Sequence, residues 1–154
     1  MRIVKSLLVA CIGITALLYA VQNLANLEAM RAQMHHGMAA TSPNAFFYGI
    51  SPVLGWAAFG FAVAFQLVIA GVAFKGAWDL FAARKGTADE FREAKTVAVW
   101  AGGLSLLSWF ALSFMTGGGL FQWGSASGQF ALSKAYEHGT TSALTILFVW
   151  GTTD

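Results

Sequence analysis

Between Val53 and Phe74 the sequence reads VLGWAAFGFAVAFQLVIAGVAF, 22 residues in which Gln66 is the one clearly polar side chain. As an α-helix rising about 1.5 Å per residue, this stretch covers roughly 33 Å, enough to cross the hydrocarbon core of a bilayer. A soluble domain of 154 residues has no need of such a segment. The remainder of the chain therefore reads as neighbours, flanks and connections of a membrane span. Composition agrees, with 57% hydrophobic and 10% charged residues, where soluble domains carry about 25% charged. The expectation is a single integral membrane domain over residues 1–154, all-α, folded as a four-helix transmembrane bundle.

The excess charge of +2 is small and confined to short loops, which points away from nucleic acid as a partner. One cysteine, Cys11, lies in the first apolar run, so the chain has neither an intrachain disulfide nor a cysteine metal cluster. Cys11 reads as a small apolar filler.

Spans are expected at about 4–24, 53–74, 97–116 and 131–150. Arg2 and Lys5 precede the first, SLLVACIGITALLYAVQNL, which is long for the apolar region of a signal peptide and lacks a good cleavage site, so it is read as a retained span. The following NLEAMRAQMHHGM is rich in helix formers up to Gly37, and Leu24, Leu27, Met30, Met34 and Met38 recur every three or four residues, predicting an amphipathic piece at the membrane surface. Thr41 to Asn44 reads as a turn, and Phe46, Phe47, Tyr48 and Trp56 as an aromatic band at the headgroup boundary. After the second span, Thr87 and Glu90 have capping-box spacing and predict a helix start near Ala88. The opening turns of that helix, DEFREAK, read as solvated, with Asp89 and Arg92 at pairing distance, and the run Gly117 to Gly119 ends the third span.

Seven of the nine basic residues, Arg2, Lys5, Lys75, Arg84, Lys85, Arg92 and Lys95, lie at the N-terminus or between spans two and three. In a four-span chain those two places share a side, which the positive-inside tendency makes cytoplasmic, together with both termini.

Three constellations are candidates for chemistry. Gln66, with Thr15, Ser105, Ser108, Thr141, Ser142 and Thr145, falls at mid-membrane depth and is expected to turn inward and bond across helices as interhelical glue. Lys134, Glu137 and His138 follow at helical spacing. They read either as a neutralised pair at the interface or as a functional group in contact with a partner subunit or a quinone headgroup. Met34, His35, His36 and Met38, with Met30, carry thioether and imidazole groups suited to copper, although an amphipathic helix explains the methionines without a metal. Small residues, Gly55, Gly60 and Ala64 in span two and Gly102 and Gly103 in span three, allow close helix approach within the bundle or to a partner. There are no paired carboxylates in a polar cleft, no Ser/His/Asp set and no phosphate loop, so no enzyme activity and no resident cofactor are expected.

The opening MRIVKSLLVACIGITALLYAVQNLANL, the segment FKGAWDLFAARK followed by ADEFREAK, and the late GGGLFQ with LFVW resemble a bacterial family of predicted small integral membrane proteins of unknown function. The resemblance implies a four-span protein of a Gram-negative inner membrane and transfers no catalytic residue. Together these readings predict a structural or accessory subunit of a larger membrane complex, a respiratory complex being the example, in contact with lipid and other membrane-protein subunits. The rival is a small binding or transport protein for copper or a lipophilic solute.

Overall fold

A computed structural model describes residues 1–28, 52–110 and 126–152. Among these residues the helices in order are α1 (Arg2–Ala25), α2 (Pro52–Ala82), α3 (Ala88–Leu106) and α4 (Ala126–Gly151), with a 3-10 turn at Ala83–Lys85 between α2 and α3. The amphipathic piece expected beyond Leu27, the Thr41 turn, the aromatics Phe46 to Tyr48 and the glycines Gly117 to Gly119 lie outside the described residues. The helix over the second apolar stretch does not stop near Phe74 but continues through KGAWDLFA to Ala82, 31 residues in all. Arg2–Ala25 and Trp56–Lys85 are each long and apolar enough to cross a membrane.

Local chemistry explains the ends. At α1 the buried positions Lys5, Ser6, Val9, Ile12, Gly13, Ala16 and Ala20 recur at helical spacing and form one inward face. The helix stops at Asn26, whose backbone N–H and side-chain Nδ2 both donate to the Gln22 carbonyl, at 3.0 and 2.7 Å. At the start of α3 the capping box is formed as its spacing predicts: Thr87 Oγ1 accepts from the Glu90 N–H at 3.3 Å and Glu90 Oε2 accepts from the Thr87 N–H at 2.7 Å.

Each helix runs antiparallel to the next. Ser6 at the start of α1 donates to the Ala77 carbonyl near the end of α2 (2.7 Å), Ser105 of α3 bonds Ser142 of α4 (2.9 Å), and Lys5 Nζ donates to the Thr152 carbonyl just beyond α4 (2.8 Å). Neighbours in sequence pack together, α1 also touches α3 and α4, and the ring closes into an up-down-up-down bundle. Its core is built from Val9, Ile12 and Ala16 of α1, Ile69, Ala70, Ala73, Ala77 and Leu80 of α2, Phe91, Ala98 and Ala101 of α3, and Val149 of α4. Alanine predominates because helices in lipid gain from close van der Waals approach rather than from expelling water.

The solvated reading of DEFREAK is corrected at two positions. Asp89 and Arg92 do face outward, 3.7 Å apart, but Phe91 is wholly buried and Lys95 is 5% exposed. Phe91 fills the end of the bundle, and Arg2, Lys5 and Lys95 gather over its ring at 4.8, 5.7 and 5.7 Å from the centroid. A cation over an aromatic face is attracted by the ring quadrupole, which lets long basic side chains turn inward here.

At Gly76 one helix backbone comes close to another: an added Cβ would stand 2.8 Å from the backbone N and Cα of Ala98. Backbone cannot give way as a side chain does, so Gly76→Ala is expected to force α2 from α3 and destabilise by about 1–3 kcal/mol. Gly71→Ala, with nothing within 4 Å, is expected to stay within about 0.5 kcal/mol of wild type. Unfolding of both variants in detergent checks this, and equal losses would contradict the close approach.

Candidate functional site

Polar side chains collect between α1, α3 and α4 around a cavity of about 90 Å³. α1 contributes Leu8, Cys11, Ile12 and Thr15, α3 contributes Ser105 and Trp109, and α4 contributes His138, Thr141, Ser142 and Thr145. Two features place them there. Ser105 and Ser142 are buried and share a hydrogen bond, and α3 widens into a π turn over residues 107–110 that carries Ser108 and Trp109 into the interior. Such turns add a residue to the helical repeat and rotate the side chains beyond it.

Two of the lining residues, Trp109 and His138, belong to an aromatic cluster. The Tyr19 hydroxyl and His138 Nε2 are hydrogen-bonded at 2.8 Å. Trp109 meets Tyr19 edge-on, with centroids 4.6 Å apart and planes at 67°, and lies 4.8 Å from the His138 ring. Tyr19 is the residue that sequence reasoning missed, because its aromatic body reads as apolar in a hydrophobic run. Its signal was the hydroxyl, which when buried needs a partner.

The grouping of Lys134, Glu137 and His138 is divided by the structure. Lys134 Nζ and Glu137 Oε2 form an ion pair at 2.6 Å on the outer surface of α4, both partners substantially exposed, while His138, one residue and about 100° further round the helix, turns to Tyr19.

The polar layer is likewise only partly as expected. Gln66 is buried and its Oε1 accepts from Asn23 Nδ2 at 3.2 Å, joining α2 to the end of α1. Ser105 and Ser142 join α3 to α4, and Ser108 is buried. Thr141 and Thr145 do not bond across helices: their hydroxyls donate to the carbonyls of Glu137 (2.8 Å) and Thr141 (2.9 Å) one turn back. Threonine in a helix has this local acceptor always at hand, and it competes with distant partners. Met30, Met34, His35, His36 and Met38, the proposed copper ligands, lie outside the described residues.

Chemically the lining offers hydroxyls, one thiol, one indole and one imidazole, the last bonded to the Tyr19 phenol, and no carboxylate lines it among the described residues. Its volume holds about three waters at roughly 30 Å³ each, or the hydrogen-bonding tip of a small molecule. Cys11 and Thr141 on its wall are exposed on the bundle's outer surface.

A double-mutant cycle on Ser105→Ala and Ser142→Ala should give a coupling of about 0.6 kcal/mol, and no more than about 1.7 kcal/mol. Unfolding in detergent of the two single variants and the double variant measures it. Zero coupling would show that the hydroxyls do not bond to each other.

Residues 1–151 match the family described as predicted small integral membrane protein (DUF2165), and the chain belongs to that family. No curated protein and no solved structure matches it.

Proposed function

Starting from that membership, we propose that this small integral membrane protein is a structural or accessory subunit of a larger bacterial inner-membrane assembly, without catalytic machinery of its own. Respiratory complexes are the kind of assembly it suits, and both termini are placed in the cytoplasm. The orientation is supported by Arg2, Lys5, Arg84, Lys85, Arg92 and Lys95, which lie at one end of the bundle.

The observation that carries the reading is the outward face of α2. Ala57, Gly60, Ala64 and Gly71 are all exposed there, and a Cβ added to Gly60 or Gly71 would touch nothing in the chain. Lipid is served as well by leucine as by glycine. Small residues facing outward allow the backbone of another helix to approach closely. The inward contacts of α2 use a different set, Ala70, Ala73, Gly76 and Ala77, so this face is not needed for the bundle itself.

The test is mild-detergent extraction of the tagged full chain, followed by sizing and mass spectrometry. Wild type is expected in a stoichiometric complex with other membrane subunits, and the variant Gly60→Leu/Gly71→Leu is expected to run free with unchanged thermal unfolding. A wild-type chain that elutes alone, or a variant that keeps its partners, would contradict the reading.

A second reading, a small binding protein for a lipophilic solute, is favoured by the cavity beside Tyr19 and His138. It predicts an extractable compound that copurifies with wild type and is lost in His138→Phe.

A further inference from the structure

Where the first turn of α1 meets the turn between α2 and α3, a shallow surface hollow, open to its surroundings and about 440 Å³ in volume, is lined by Met1, Arg2, Ile3, Arg84 and Lys85. Three cations and two apolar side chains form it, and among the described residues no carboxylate lines it or pairs with Arg2, Arg84 or Lys85. The exposed cations elsewhere among the described residues differ: Lys75 is paired with Asp79 at 2.7 Å, Arg92 with Asp89 and Lys134 with Glu137.

Both guanidinium groups are held in place by the protein without being neutralised. Arg2 Nη1 donates to the Gly86 carbonyl at 2.6 Å and the Arg84 carbonyl at 3.4 Å, and its guanidinium lies 4.8 Å from the Phe91 centroid. Arg84 Nη1 donates to the Phe81 carbonyl at 2.6 Å, with its guanidinium 3.7 Å from the centre of the Phe81 ring. A guanidinium has five N–H donors in a rigid fork. In each of these arginines the bonds to protein engage Nη1 alone, which leaves donors for a ligand. Ring and carbonyl contacts of this kind fix the cation in advance and reduce the entropy lost when an anion binds.

The apolar side of the hollow continues along the bundle. Met1 and Ile3 are exposed, as is Leu7 one turn further along α1, and Trp78 and Phe81 are exposed near the end of α2. A ligand here meets positive charge at the end of the helices and hydrocarbon contacts immediately below it. That is the layout of a phosphodiester headgroup with its acyl chains, and basic pockets between helices at the membrane surface take anionic lipids.

The geometry points to a binding site for an anionic diacyl phospholipid, with the phosphate on Arg2, Arg84 and Lys85 and the acyl chains along Ile3 and Leu7 of α1. The shared chemistry is a phosphate oxyanion, which free phosphate also offers; the apolar wall beneath the cations favours the lipid. This site is independent of any protein partner of the bundle.

The experiment titrates the delipidated full chain in detergent with phosphatidylglycerol, phosphatidylcholine or inorganic phosphate, and reads bound mass by native mass spectrometry. Phosphatidylglycerol is expected to bind, phosphatidylcholine to bind much more weakly, and millimolar phosphate to leave bound phosphatidylglycerol in place. A basic residue near an anionic surface contributes about fivefold in affinity. Lys85→Gln should therefore weaken binding about fivefold and Arg84→Gln/Lys85→Gln on the order of thirtyfold, with Lys75→Gln, outside the hollow, without effect. Lys85 is exposed on the turn, so its single variant keeps the test valid should the double variant misfold. Equal binding of both lipids, equal losses in Lys75→Gln and Lys85→Gln, or displacement of the lipid by inorganic phosphate would overturn the assignment.

Discussion

Hydrocarbon offers no hydrogen-bond partner, and in an integral membrane protein that constraint accounts for the pairing of the polar groups buried between the helices. Ser6 bonds the Ala77 carbonyl, Asn23 bonds Gln66, Ser105 bonds Ser142 and Tyr19 bonds His138. Each pair joins two helices, and the set is spread over the length of the bundle. Among the described residues no buried side-chain nitrogen or oxygen lacks a partner. At about 0.6 kcal/mol per bond, such pairs contribute too little to hold four helices together. Their effect is on register: a helix that slides or rotates strands a polar group in an apolar medium. The cohesion comes from close packing, at Gly13 against Ala73 and Phe74, Gly76 against Ala98 and Gly102 against Ile146, where a missing side chain lets neighbouring atoms come close.

At the other extreme of polarity, the basic end of the bundle shows a charge pattern used twice. Arg2 and Lys5 belong to the basic cluster on which the proposed orientation rests, and the same two residues reach across to carbonyls of Gly86 and Thr152. The first turn of α1 thereby ties together the α2–α3 turn and the end of α4. A lysine beside the last carbonyls of a helix also complements the negative end of its dipole. Phe91 makes the arrangement possible by giving three cations an aromatic face in the interior.

Much of the fold was legible in the sequence because its strongest signals are local. The apolar run from Val53 to Phe74 announces a spanning helix, and Thr87 with Glu90 announces the start of the next. What was not legible depends on which residues become neighbours in space. Lys95 looks solvated until Phe91 is seen beneath it, and Tyr19 looks apolar until His138 is seen opposite it. The separation of His138 from Lys134 and Glu137 could have been read from helical geometry, since adjacent residues lie about 100° apart. Depth alone predicts interhelical bonding for Thr141 and Thr145, and depth does not distinguish a distant acceptor from the carbonyl one turn back.

The proposed role requires four helices crossing the bilayer together, with the α2–α3 turn and the end of α4 on one side. Single cysteines at Lys85 and Thr152, in a chain with Cys11 replaced by alanine, report this directly when labelled with a membrane-impermeant maleimide in sealed right-side-out and inside-out vesicles. Both positions should be silent in the first and labelled in the second. Labelling of the two positions from opposite sides would mean that α3 and α4 do not cross as an antiparallel pair, and would contradict the bundle as a transmembrane structure.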